Sequence, residues 1–113
     1  MGKLRGEVTI AEATHTITNG TLRVRLIDVS RADAPAVVVS ERTIPDVSVE
    51  RDGEHIGFEL DIPGLEPGST YALEAHLDAS GTGETSVGDY RTMEHIGVSP
   101  TDRSVTVPVR PVG

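Results

Sequence analysis

The sequence predicts an all-β protein, built as a single antiparallel β-sandwich of about seven strands. Apolar and polar residues alternate in one segment after another, for example in Tyr71–Asp78 (YALEAHLD). A strand turns successive side chains to opposite faces, so each such segment buries one face. Turn-forming pairs such as Asp52-Gly53 separate these segments. No window has a helical period of 3.6 residues over three turns, and short strands at this spacing favour two antiparallel layers.

The expected strands follow one another within a single domain that covers residues 1–113. In chain order they cover residues 6–12, 20–29, 36–44, 54–62, 70–79, 87–93 and 104–110. In the second, Leu22, Val24 and Leu26 alternate with arginines. The third contains a continuous valine run at residues 37–39, and β-branched residues suit a pleated surface.

The later strands have the same alternation, and their flanks define where they end. Residues 56–62 and 105–109 each place apolar side chains at every second position. Pro108 lies inside the last strand and cannot donate to a ladder, so this strand is expected at an edge of the sheet. Asn19-Gly20 is expected to form a turn before the second strand.

A structural tyrosine is predicted in the stretch GLEPGSTYALEAHL, residues 64–77. Pro67 presets one turn dihedral and Gly68 tolerates a positive φ, so the pair is expected to make a tight turn. Tyr71 then buries its ring while its hydroxyl bonds to the preceding backbone. Fibronectin type III domains carry a similar stretch, which gives the expected sandwich an immunoglobulin- or fibronectin-III-like character. The alternative is a tyrosine that contacts a ligand.

Composition excludes several classes of function. The 113 residues contain no cysteine, and 10 Lys and Arg against 18 Asp and Glu give a net charge of −8. Such an acidic chain is a poor partner for nucleic acid, because phosphate backbones repel it. No apolar run approaches the roughly 20 residues that span a bilayer. The first residues, MGKLRGEVTI, lack the apolar stretch of a secretory signal, so the chain either stays inside the cell or follows a removed signal.

A loop rich in short polar residues is predicted at residues 28–35 (DVSRADAP). Asp28 and Asp33 can each accept backbone N–H bonds from residues just ahead and so close Asx turns. Ser30 can do the same more weakly, and Arg31 can bridge the two carboxylates. The alternative is that this loop docks a partner, since binding residues favour loops on rigid scaffolds.

A resemblance to a known family rests on the same stretch. Four stretches together resemble the YbaY / type III secretion lipoprotein chaperone (YscW-like) domain family, over roughly residues 6–110. They are the DVSRADAP run within residues 21–44, the Phe-Glu-Leu at 58–60, the Pro-Gly-x-x-Tyr corner and Gly-Asp-Tyr at 88–90. The resemblance implies a small β-sandwich in the bacterial cell envelope, often a lipoprotein. One branch acts as pilotins that help secretin subunits reach the outer membrane. The printed sequence has no lipobox cysteine, which leaves a cytoplasmic location open.

A calcium loop is a second hypothesis, for residues 78–89 (DASGTGETSVGD). The oxygen-bearing residues have the spacing of an EF-type loop: Asp78, Ser80, Thr82, Glu84 and Asp89. Two of these positions carry hydroxyls instead of carboxylates, and fewer carboxylates mean weaker calcium binding. The alternative is a glycine-rich loop that joins two strands, with no cofactor.

His76 lies two residues from both Glu74 and Asp78, on one strand face. This trio could hold zinc only if a neighbouring strand supplied another ligand. A solvated polar face is the alternative.

The predicted function is that of a non-catalytic interaction domain that binds a protein partner, through a sheet edge or through loops. No Gly-x-Ser-x-Gly elbow marks a nucleophile. With Phe58, Tyr71 and Tyr90 as the only aromatic residues, there is no stacking platform for bases. A weak calcium module is the alternative, and an enzyme of unknown class is a remote one.

Overall fold

The computed structural model describes residues 2–11, 13, 16–30, 33–50, 54–62, 64–66, 68–79, 88–93, 96–99 and 103–112. These residues form strands and connections and contain no helix. The eight strands are β1 (Gly2–Ile10), β2 (Ile17–Asp28), β3 (Val37–Val49), β4 (Glu54–Ile62), β5 (Tyr71–Asp78), β6 (Tyr90–Arg91), β7 (Ile96–Val98) and β8 (Ser104–Pro111).

The strands make one continuous sheet in the order β3-β2-β5-β6-β8-β1-β4, and β7 pairs with β5 beside this path. The sheet curls into a nearly closed, barrel-like shape around one core. All described pairs are antiparallel except β1 with β8, which run parallel in the register Arg5↔Ser104 to Ile10↔Val109. Parallel neighbours need a long connection, and these two strands lie at opposite ends of the chain.

The all-β fold class is therefore correct, and three finer expectations change. There are eight described strands instead of seven, because Ile96–Val98 forms the additional strand β7 beside β5. The pairing is not wholly antiparallel, and the strands do not separate clearly into two sheets. The immunoglobulin- or fibronectin-III-like character stays a prediction.

The last strand is not at an edge of the sheet, contrary to the expectation from Pro108. β8 lies between β1 and β6. Pro108 pairs with Thr9 on the β1 side, while β6 pairs only with Arg110 and Pro111. The ladder with β6 thus begins two residues beyond Pro108 and does not need its missing N–H. Among the described strands, the ends of the path are β3 and β4.

Asn19 forms part of a bulge inside β2, where the sequence predicted a turn. Asn19 has a φ of 56° and Asp46, on the neighbouring strand β3, has a φ of 57°. One extra residue on β2 between Ile17 and Gly20 is followed by one extra residue on β3, so the two register shifts cancel. Asn and Asp tolerate the left-handed region, and paired bulges bend the strands without losing the pairing.

The core is mostly aliphatic and includes three buried aromatic side chains, of which Tyr90 has no exposed surface. The alternation predicted for β2 is borne out, since Leu22, Val24 and Leu26 are fully buried. At Gly6 on β1, the ring of Phe58 occupies the space that a side chain would take. An added Cβ would lie 2.4 Å from the ring and 2.8 Å from the Val105 carbonyl oxygen. Glycine at this position therefore lets the aromatic ring lie across the strand.

We expect Gly6→Ala to lower the free energy of unfolding by about 1–3 kcal/mol, because the new methyl group must displace the Phe58 ring and the β8 backbone. Gly57→Ala is the matched control: Gly57 is also a strand glycine, and its Cβ would have no neighbour within 4 Å. Urea denaturation of the two variants measures the difference. Equal stability of both variants would contradict the packing described at Gly6.

Candidate functional site

A row of basic side chains crosses four neighbouring strands. The ladders place Arg23 opposite His76, His76 opposite Arg91, and Arg91 opposite Arg110. Directly opposite residues share a face of the sheet, so the four side chains lie side by side on it. Arg25 lies two residues from Arg23 on β2. Basic groups are concentrated here in a chain whose net charge is −8.

Two fully buried carboxylates lie beside this row and bind its first two members. Arg23 Nη1 donates to Asp78 Oδ2 at 3.0 Å, and the Asp78 side chain has no exposed surface. His76 Nε2 lies 2.8 Å from Asp89 Oδ2. The Ala79 N–H donates to the other Asp89 oxygen at 2.9 Å. A buried carboxylate needs such partners, so these contacts hold β2, β5 and the segment before β6 together.

The structure brings the two ends of the predicted calcium loop together. One ligand atom from each of His76, Asp78 and Asp89 lies within 4.8 Å of the others. Of the trio in the zinc interpretation, His76 and Asp78 belong to this group and Glu74 does not, while Asp89 from the segment before β6 is the third member. The oxygens of Asp78 and Asp89 already accept hydrogen bonds from the protein. The other loop positions, Ser80, Thr82 and Glu84, lie outside the described residues, so the calcium loop stays a prediction.

Two cavities adjoin on the face that carries the basic row. The first, of about 120 Å³, is lined by Arg23, Arg25, Glu74, Ala75, His76, Arg91 and Thr92. The second, of about 440 Å³, is mostly apolar and is lined by Ile27, Val29, Ala72, Leu73, Glu74, Arg91, Thr92, Met93 and Ile96. We call them the basic cavity and the apolar cavity. Glu74, Arg91 and Thr92 belong to both linings, so the two cavities are adjacent.

A third, larger opening of about 890 Å³ lies over Gly6 and Phe58, where β3 faces the β4-β1-β8 part of the sheet. Its rim carries Glu59, which bonds Lys3 Nζ at 3.1 Å and Arg5 Nε at 3.0 Å. The hydrogen bond from Lys3, and then that from Arg5, holds the pKa of the Glu59 carboxyl below its usual value.

Tyr71 makes the contacts expected of a structural residue. Its ring is buried, and the Glu66 N–H donates to its hydroxyl at 2.9 Å. The Ser69 N–H donates to the Glu66 carbonyl at 3.1 Å and closes a turn, but Gly68 does not have the positive φ that the sequence analysis expected. A four-residue turn of type I needs no positive φ at its central residues, which explains the difference. Pro67 lies outside the described residues.

The loop after β2 is fastened to the start of β5. The Ser30 N–H donates to Asp28 Oδ1 at 2.9 Å, and the Thr70 N–H donates to Ser30 Oγ at 2.9 Å. The Val29 N–H adds a bond to the Thr70 carbonyl at 2.8 Å. Asp33 is exposed, and Arg31 lies outside the described residues, so its expected bridge between the two carboxylates stays a prediction.

The basic row is not visible in the periodicity of any single strand. Alternation in β2 did predict that Arg23 and Arg25 point away from the core, which is the part of the pattern that one strand can reveal. Which residues lie opposite them depends on the pairing of β5 with β2 and β6, and Asp89 meets His76 only through that pairing.

A solved protein structure has a similar fold over nearly the whole chain. A solved structure described as an alternative pilotin from the type II secretion system of Vibrio cholerae superimposes with a TM-score of 0.73. The match covers 98% of this chain and 96% of that one, at 21% sequence identity. At this identity the likeness concerns the fold. The described residues include no helix that is long and apolar enough to cross a membrane.

The sequence itself matches a family. Residues 1–89 match the type III secretion system lipoprotein chaperone (YscW) family, and the chain belongs to that family. No curated protein sequence matches it significantly. The resemblance found in the sequence analysis is therefore correct.

We expect Arg23→Met to lower the free energy of unfolding by about 3–5 kcal/mol, because it leaves the carboxylate of Asp78 buried without its cation. Arg25→Met is the matched control on the same strand face. Arg25 pairs with Glu41, and both side chains are more than 40% exposed, so its loss is expected to cost about 0–1 kcal/mol. Thermal and urea unfolding give both values; similar losses would contradict the assigned role of Asp78.

We expect the Glu59 carboxyl to titrate below the usual pKa of a glutamate, and Lys3→Gln to raise its midpoint towards that value. Because the folded pKa is lowered, the stabilisation from these contacts is present above the usual glutamate pKa. It is lost as the pH falls through the lowered one. Side-chain carboxyl NMR against pH measures the midpoint, and an unchanged midpoint in Lys3→Gln would refute the assignment of the cause.

Proposed function

We propose that this chain is a non-catalytic secretion chaperone that binds a protein subunit of a secretion system at the bacterial cell envelope. The observation that carries the proposal is membership of the lipoprotein chaperone family over residues 1–89. A pilotin with the same fold across nearly the whole chain supports it. The partner class implied by the family is a secretin subunit bound for the outer membrane.

The chemistry of the described residues also favours binding over catalysis. The two fully buried carboxylates, Asp78 and Asp89, are held by Arg23, His76 and the Ala79 N–H, which is the role expected of structural ions. A catalytic acid or base must instead reach a substrate. The adjacent basic and apolar cavities offer a partner charge, hydrogen-bonding groups and apolar surface on one face.

We expect deletion of the gene for this chain to leave secretin subunits outside the outer membrane, because their escort is lost. Fractionation of inner and outer membranes, followed by detection of secretin multimers, measures the distribution. Expression of the full chain in the deletion strain is expected to restore it. Normal secretin multimers in the outer membrane of the deletion strain would overturn the proposed partner.

A further inference from the structure

The basic cavity is built to receive a negatively charged group. Four of its lining side chains are basic: Arg23, Arg25, His76 and Arg91. A guanidinium matches a carboxylate in shape and can donate two parallel hydrogen bonds to it. The volume of about 120 Å³ suits a small planar anion with its hydration water, and it excludes a large ligand.

Arg91 is the member of this group that is available to a ligand. Arg23 is paired with Asp78, and Arg25 with Glu41. Among the described residues, the guanidinium of Arg91 makes no ion pair, and its strand neighbours in the row are His76 and Arg110. Arg91 and Arg110 are like charges directly opposite each other, which destabilises a sheet, so an anion bound beside Arg91 would relieve this repulsion.

The apolar cavity indicates what carries the anion. Its lining includes Ile27, Val29, Ile96 and Met93, and the Met93 side chain is exposed. An exposed methionine beside aliphatic side chains is an adaptable surface for an apolar group. Because the cavities share Arg91 and Thr92, one ligand with adjacent charged and apolar parts can fill both.

Glu74 favours a peptide over a fatty acid as the ligand. Its side chain lies on the wall between the cavities, next to the basic groups. A carboxylate there accepts a hydrogen bond from a backbone N–H, whereas a fatty acid that is ionised at neutral pH carries no donor to offer it. The charges on this wall therefore complement a peptide, which has both a donor and an acid.

We propose that the basic and apolar cavities together bind a peptide segment of the protein partner in which a carboxylate adjoins an apolar side chain. The carboxylate bonds to Arg91, the apolar side chain packs near Met93 and Ile96, and a backbone N–H between them donates to Glu74. The carboxylate comes from an acidic side chain or from a free carboxyl terminus. This assignment rests on the proposed function and adds the chemistry of recognition.

The test is an NMR titration of the ¹⁵N-labelled chain with short peptides of serine and leucine. One peptide has a central aspartate and blocked ends, a second has asparagine in its place, and a third has asparagine and a free carboxyl terminus. Peptides are added to about 10 mM, above the millimolar dissociation constant expected of such short ligands. Inorganic phosphate and dodecanoate serve as the competing anions.

The aspartate or free-acid peptide is expected to shift the amides of Ala72, Glu74 and Arg91. The blocked asparagine peptide is expected to bind at least tenfold more weakly, because it lacks the charge-assisted bond. Arg91→Gln is expected to weaken the acidic peptides by a similar factor. Arg110→Gln removes the same charge from the next strand, outside the cavity lining, and is expected to leave the dissociation constant within about twofold.

The assignment would be overturned if neither the blocked aspartate peptide nor the free-acid peptide bound more tightly than the blocked asparagine peptide. No amide shift with any peptide, or shifts with phosphate or dodecanoate alone, would also overturn it. The outcome is separable from the proposed function. If Arg91→Gln loses peptide binding but fully restores secretin sorting, the proposed peptide site is wrong and the proposed chaperone role still stands. Normal sorting in the deletion strain would remove the chaperone role whatever the peptides do.

Discussion

The pairing of Asp78 with Arg23 and of Asp89 with His76 is the constraint on which the arrangement of the central strands depends. Removing a carboxylate from water costs several kcal/mol, and only close cations and donors offset that cost. Asp78 ends β5, Arg23 lies on β2, and Asp89 lies just before β6. A shift of any one of these segments along its neighbour would separate a buried carboxylate from Arg23 or from His76. The two contacts therefore fix the register of three segments at once.

The same constraint explains why a basic surface exists on an acidic protein. The buried acids hold Arg23 and His76 in place, and the short strand β6 adds Arg91 opposite His76. Arg23 and His76 are thus committed to the fold, whereas Arg91 is not. Structural and binding roles share one face of the sheet here, and they divide between neighbouring residues of a single row.

Much of the fold could be predicted from the sequence, because period-two alternation reports directly on one buried face. The predicted strand at residues 54–62 agrees with β4, and that at 70–79 agrees with β5 within a residue at each end. The Tyr71 contact followed from a local motif. The strands that pair with β8 could not be predicted from the sequence. Pro108 removes a single backbone donor and does not determine the pairing of the other residues of β8. The candidate site depends on cross-strand neighbours, which no single segment encodes.

The parallel pairing of β1 with β8 sets the order in which the molecule can be completed. Residues 5–10 meet residues 104–109, so the two partners are separated by almost the entire chain. Such a contact has the greatest loop-closure cost and forms late, which slows folding. On the ribosome, the first strand emerges long before its final neighbour is synthesised. Until then one side of β1 has free backbone groups, and premature pairing with another nascent chain is the hazard that this topology carries.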